Sequence, residues 1–301
     1  MFEGNAHGQP WSLTLASTSA ILITGIVYLR GWIRLREDFP RLASAWRLAA
    51  FVSGLASVWA AVASPLAALD HRSLTLHMVK HLLLMTVAAP LLLAGSPALP
   101  LRQALPHFRL PHFTRSHRAP GNRRTRWLES AFTRPWLCWL AGTIAVIGWH
   151  LPAAFQLGMR SRWIHSLEDA SFLLAGLLFW WPVIQPPSST VKPPRWSIAL
   201  YLFLATLPCD VLSAFLVFCN RIVYHIYTPE TQLFSLSPLQ DQEFAGALMW
   251  VWVTFAYLIP AVVITILILS PSNEHSSPTQ DSLPALAMRS LRRSDPAVSK
   301  P

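Results

Sequence analysis

The chain has 301 residues, of which 53% are hydrophobic and 13% charged, with a positive mean hydropathy. That balance excludes a soluble globule and describes a polytopic membrane protein. The net charge of +10 would suit nucleic acid, but the basic residues are confined to particular loops, which excludes nucleic acid as a partner. Three cysteines, Cys138, Cys209 and Cys219, have no CxxC spacing, so they neither form a zinc motif nor require a disulfide.

The first ten residues, MFEGNAHGQP, lack a basic region, so no cleavable signal peptide is expected and the first apolar stretch should remain as a helix. A bilayer crossing takes about 20 apolar residues. Seven stretches qualify: Trp11–Leu29, Trp46–Leu69, Leu74–Gly95, Pro135–Leu157, Trp163–Ile184, Trp196–Phe218 and Phe244–Leu269. Many begin or end at Trp, Tyr or Arg, as interfacial anchors do, and Trp180-Trp181 is most simply read that way. Pro65, Pro90, Pro152, Pro182, Pro208 and Pro260 fall in or near these spans and should kink them.

The expected fold is thus an all-α membrane bundle of about seven helices over residues 11–270. It has a short external N-terminus over 1–10, a basic cytoplasmic loop over 97–134 and a disordered Ser/Pro-rich tail over 271–301. Nineteen Lys and Arg fall in the loops on one side and in the tail, against Arg72, Arg160, Arg162 and Arg221 on the other. The positive-inside rule therefore puts the N-terminus outside and the C-terminus in the cytoplasm. In the basic loop, His107, His112 and His117 are evenly spaced, but a solvated loop lying on anionic headgroups accounts for them. Arg123–Arg134 reads as a short interfacial helix.

Span three, SLTLHMVKHLLLMTVAAPLLLAGSP, is the stretch that does not look like plain lipid anchor. It carries His77, Lys80 and His81, and ionisable residues at membrane depth are costly enough that a functional site is the default reading. His77 and His81 stand one turn apart on one helix face, a spacing at which two imidazoles can share a metal ion. With the orientation above, His150, His165, Glu168, Asp169 and Asp210 all fall at the same outer depth, and Asp70, His71, Asp241 and Gln242 border it. His77-x3-His81 and His165-x3-Asp169 mirror one another on two spans, as paired ligands in helix bundles do. The candidate metal ligands are therefore His77, His81, His150, His165, Asp169 and Asp210.

Plainer readings stand beside these. A lone membrane histidine often hydrogen-bonds between helices, and His150 is open to that. Lys80 can be neutralised by Asp169 or by Asp210. Met78, Met85, Met159 and Met249 read as core filler, and Cys209 as a small buried residue. Imidazole suits copper, zinc and iron, and spacing does not choose among them.

The segment His77-Met78-Val79-x-His81-Leu82-Leu83-Leu84, with Ala89-Pro90-Leu91-Leu92 and Gly95-x-Pro97 behind it, resembles the signature of the caa3-type CtaG family. Trp149-His150-x-Pro152, His165 with Leu167-Glu168, Gly176 to Trp180 with Pro182, and Asp241-Gln242 with Gly246 and Met249-Trp250 extend the likeness to span seven. It differs from the single-span periplasmic copper chaperones that share the CtaG name. The resemblance implies a seven-span, multi-pass protein of the bacterial inner membrane that helps to build the copper centre of a haem–copper cytochrome c oxidase. Copper would be its cargo, oxidase subunits and other copper chaperones its partners, and ligand exchange rather than turnover its chemistry, so it would not be an enzyme. Two departures bear on the site: the family often carries a second histidine where this chain has Asp169, and Lys80 replaces a neutral polar residue. A protonated lysine beside a metal weakens binding unless a carboxylate compensates, and Asp169 is placed to do so. Two other classes compete: a haem b electron carrier with axial histidines, and a proton or ion transporter using Lys80, Asp169 and Asp210.

Overall fold

A computed structural model describes residues 11–38, 40, 43–104, 134–185, 194–227 and 236–270. The residues 1–10, the histidines and arginines of 105–133 and the tail 271–301 lie outside the described residues, so the expectations placed there have no structural counterpart. Every regular element among the described residues is helical.

Helix α1 covers Trp11–Asp38 and α2 covers Ala45–Val62, followed by a short 3-10 turn at Pro65–Leu69. Helix α3, Leu74–Leu82, runs through a π-helical segment, Leu83–Ala88, into α4, Ala89–Ala94. Then come α5 at Ala98–Ala104, α6 at Pro135–His150, α7 at Pro152–Arg160, α8 at Arg162–Ile184, α9 at Arg195–Phe218 and α10 at Pro238–Leu269. Six of the described helical stretches are long and apolar enough to cross a membrane, and a seventh forms if α6 and α7 count as one span.

Three boundaries differ from expectation, each for a local reason. Helix α1 continues past Leu29 through Arg30, Arg34 and Arg36, whose stems extend the helix while Arg34 Nη1 donates to the Gln103 carbonyl at 3.1 Å. The second span stops at Val62, because Ser64 is followed by Pro65, and the residue before proline is driven out of the helical region. The fourth span bends by 75° at Leu151, which is extended because Pro152 follows it. Pro182, Pro208 and Pro260 stay inside continuous helices.

The packing is the reverse of a soluble protein. Leucine, isoleucine, valine and phenylalanine side chains along α1, α6, α9 and α10 face outward, while Asp70, His77, Lys80, His81, Glu168, Asp241 and Gln242 are buried. Only a lipid surround makes that arrangement favourable. The span Leu74–Ala94 is the axis of the bundle: 67% of its apolar window is buried, against 17–33% for the other continuous spans.

The π segment sits at the middle of this axis. Pro90 has no N–H to donate, and the backbone widens just before it, so that Ala89 N bonds Leu84 O five residues back. The Met85 carbonyl accepts a hydrogen bond from Trp180 Nε1 at 3.1 Å. Trp180 is therefore a buried structural donor rather than an interfacial anchor. Gly176 lets α8 lie against this turn, since a Cβ there would come within 2.8 Å of the Met85 carbonyl oxygen. Helix α8 is thereby fixed in height against α3, and the two carry most of the site described next.

Candidate metal site

The site lies at the end of the bundle opposite Arg34 and Gln103, in the first two turns of α3 and of α8. The start of α3 is set by a remote residue. Ser73 is its N-cap, and the Asp241 carboxylate of α10 accepts from Ser73 Oγ at 2.9 Å, Leu74 N at 2.7 Å, Thr75 N at 3.2 Å and Thr75 Oγ1 at 2.6 Å. A carboxylate at a helix N-terminus satisfies free N–H groups and complements the dipole. Its neighbour Gln242 accepts from Val223 N at 2.8 Å and donates to the Leu216 and Arg221 carbonyls, tying the 219–227 loop to α10. From that loop, Tyr224 Oη donates to the His150 carbonyl and Tyr227 Oη to the Asp70 carbonyl, at 2.8 and 2.9 Å.

Within this frame His77 and His81 present their rings edge to face, with centroids 4.3 Å apart. Glu168 of α8 meets both: its Oε1 lies 3.5 Å from His77 Nε2 and 3.6 Å from His81 Nε2. All three residues are at most 4% exposed, yet none of the four imidazole nitrogens nor Glu168 Oε1 has a hydrogen-bond partner. Buried polar atoms left this way are rare because each costs about 1–3 kcal/mol. The three ligand atoms lie within 4.8 Å of one another. Ligands bonded at about 2.0–2.1 Å to a tetrahedral first-row ion stand about 3.4 Å apart, close to the observed separations. Two imidazoles and a carboxylate thus fit a borderline cation in both spacing and donor type.

A second cluster adjoins the first. Asp70 Oδ2 takes Lys80 Nζ at 2.6 Å and His165 Nε2 at 2.8 Å, and Tyr227 holds its carbonyl. Lys80 also pairs with Asp169 Oδ1 at 3.0 Å. Burial alone would raise the Asp70 carboxyl, but the His165 hydrogen bond and the Lys80 charge outweigh it and hold it far below the usual carboxylate range. His165 Nδ1 meets Glu168 Oε2 at 3.2 Å, so this ring bridges the two clusters with both nitrogens engaged. Asp70, His71 and His165 also meet the spacing of a metal-ligand group. His71 is 39% exposed, its imidazole held below its ordinary value by partial burial, and it opens on a polar vestibule of about 420 Å³ lined by Arg160, Arg162, His165 and Asp169.

The sequence-based candidates are thus sorted by the structure. His77 and His81 are together with free ring nitrogens. His165 is beside them, with centroids 5.6 Å from His77, but acts through Glu168 and Asp70. Asp169 lies 3.6 Å from His81 Nε2 and is shared with Lys80. Lys80 takes Asp70 as its second partner instead of Asp210, so two carboxylates offset its charge near the histidines. Asp210 belongs to neither cluster. His150 turns away, its Nε2 3.2 Å from Met78 Sδ. The residue that sequence reasoning left off the ligand set is Glu168, because the mirror of His-x3-His drew attention to Asp169, one position on. Glu168 stands three positions after His165, and that helical spacing was the available signal.

Comparison with known proteins follows the same residues. The profile of the cytochrome c oxidase caa3 assembly factor family (Caa3_CtaG) matches residues 26–270, which include every residue of the two clusters. An uncharacterized protein of Mycobacterium leprae (strain TN) is 21% identical over 271 residues, 86% of this chain. The chain spans 39% of that relative's length. No solved structure matches.

Proposed function

The chain belongs to the cytochrome c oxidase caa3 assembly factor family, and from that premise we propose that it carries copper toward the copper-containing centre of a haem–copper oxidase. The observation that supports this reading is the buried trio His77, His81 and Glu168, three ligand atoms within 4.8 Å whose facing nitrogens and oxygen have no hydrogen bond. Copper would be cargo, held by ligand exchange with no bond of a substrate made or broken. His71 and the vestibule give the route inward, and the Lys80–Asp70–Asp169 group offsets charge beside the trio. The site would face the outside of a bacterial cell membrane, with the basic loops in the cytoplasm, and its partners would be oxidase subunits and copper chaperones.

The test is metal analysis with an optical spectrum on protein purified in detergent from copper-supplemented cells, beside His77→Ala/His81→Ala. Near-stoichiometric copper in the wild type, at least tenfold less in the double variant, and no Soret band are expected. Metal-free wild type, or a haem spectrum, overturns the copper reading; unchanged oxidase activity in a deletion strain overturns the assembly role.

A milder substitution probes Glu168 through its neighbour. A Cβ on Gly158 of α7 would lie 2.9 Å from Glu168 Oε2. Gly158→Ala should therefore push the carboxylate off its present position and lower copper content severalfold, while the melting profile in detergent stays close to wild type. Unchanged copper content would mean that Glu168 Oε1 is not part of the site.

A further inference from the structure

His150 makes two contacts that its own chemistry does not reconcile. Its Nδ1 lies 2.6 Å from the Val146 carbonyl oxygen, and its Nε2 lies 3.2 Å from Met78 Sδ. A carbonyl only accepts, so Nδ1 carries the proton and the neutral ring turns a bare lone pair toward the sulfur. A thioether has no proton to give. The other neutral tautomer would set a bare Nδ1 against a carbonyl oxygen at 2.6 Å, which is worse. A charged ring would satisfy both contacts, but His150 is 7% exposed and no ion pair joins it to a carboxylate among the described residues. The pair is therefore two lone-pair donors facing one another, and a soft cation is what such a pair accommodates.

The surroundings match. Met78 and His150 line a cavity of about 50 Å³ deeper in the bundle than the histidine–glutamate trio, and Met85, Met249 and Cys209 line it too. His81 belongs to both walls: it lines this cavity, and its Nε2 faces Glu168. An ion bonded at about 2.0 Å to nitrogen and about 2.3 Å to sulfur spans an N···S edge of this length. Thioether and thiol donors select cuprous copper over harder divalent ions.

We propose that His150 and Met78, with the sulfur atoms of Met85 and Met249 behind them, form a second site that holds cuprous copper beneath the His77–His81–Glu168 trio. The identity of the ion rests on the copper reading above; the existence of a soft-cation site rests on the His150–Met78 geometry. His81 is the shared wall through which an ion exchanges ligands between the two sites, with no change of oxidation state.

The experiment is anaerobic titration of the detergent-purified full chain with cuprous ion, followed by X-ray absorption at the copper edge, on wild type, Met78→Leu and Glu168→Gln. Leucine for methionine conserves volume, so Met78→Leu should fold as wild type does. Copper with sulfur neighbours at about 2.3 Å is expected in the wild type. Met78→Leu should lose sulfur from that shell and bind at least tenfold more weakly, and Glu168→Gln should keep the sulfur signal. A wild-type shell of nitrogen and oxygen only, or a sulfur shell unchanged in Met78→Leu, overturns the second site. Nitrogen- and oxygen-bound copper that is lost in Glu168→Gln, with no sulfur-bound fraction in any form, would leave the outer trio standing alone. Sulfur-bound copper that persists in Glu168→Gln, with no nitrogen- and oxygen-bound fraction in any form, would leave the inner site standing alone. Wild type that takes up no cuprous ion overturns both.

Discussion

Lys80→Met should destabilise the protein by on the order of 3–5 kcal/mol, the cost found when one partner of a buried charge pair is removed. The lysine is 5% exposed and lies 2.6 Å from Asp70 Oδ2 and 3.0 Å from Asp169 Oδ1. Without it two carboxylates face one another beside Glu168, and only imidazoles remain next to them: His165 and His71 beside Asp70, and His81 beside Asp169. Thermal unfolding in detergent should show a large fall in melting temperature. The triple substitution Lys80→Met, Asp70→Asn, Asp169→Asn removes both orphaned charges and should recover much of the loss. If Lys80→Met melts as wild type does, the lysine is not the cation that holds this end of the bundle together.

Asp241→Ala should be comparably severe, on the order of 3 kcal/mol or more, although residue 241 belongs to no ligand group. Its carboxylate receives four hydrogen bonds from Ser73, Leu74 and Thr75, at 2.6–3.2 Å, and is 1% exposed. Alanine would leave the Leu74 and Thr75 N–H groups and the Ser73 hydroxyl without their acceptor, while the Thr75 hydroxyl keeps the carbonyl of residue 241 at 3.2 Å. The first turn of α3 should fray, and His77, whose N–H closes that turn on the Ser73 carbonyl at 3.1 Å, should lose its register against Glu168. The expected result is a lower melting temperature together with lower copper content. Asp241→Asn keeps the carbonyl acceptor, so it should retain more of both. Equal effects of the two substitutions would show that the cap is not what positions the histidines.

Both predictions turn on interactions between distant parts of the chain, and this marks what sequence could convey. The spans were legible because bilayer crossing demands a run of apolar residues whatever lies beside it. The importance of span three was legible for the complementary reason: His77, Lys80 and His81 break such a run at a cost that implies a protein interior. Helical spacing alone paired His77 with His81, and the quoted motifs carried the family resemblance over residues that the Caa3_CtaG profile also matches. The bend after His150 was half visible, since Pro152 announced a break without giving the 75° that turns α7 across the site.

Tertiary structure decided the partners. The sequence offered Asp169 and Asp210 as counter-ions for Lys80, but Asp70, in the turn before α3, takes the shorter contact. It set His165 beside His77 and His81, whereas the rotation of α8 about its axis puts that ring against Asp70 and Glu168, in the group with Asp70 and His71, and turns Glu168 toward His77 and His81. It grouped His150 with the other histidines by depth, whereas the helix face places it on the far side of Phe172, against Met78. Periodicity determines which residues share a face and a height on one helix. Which face meets which neighbour depends on how the helices rotate and slide against one another. That was set here by single close approaches such as Gly176 on Met85 and Gly158 on Glu168, and by one carboxylate on α10 that starts α3 at the right residue.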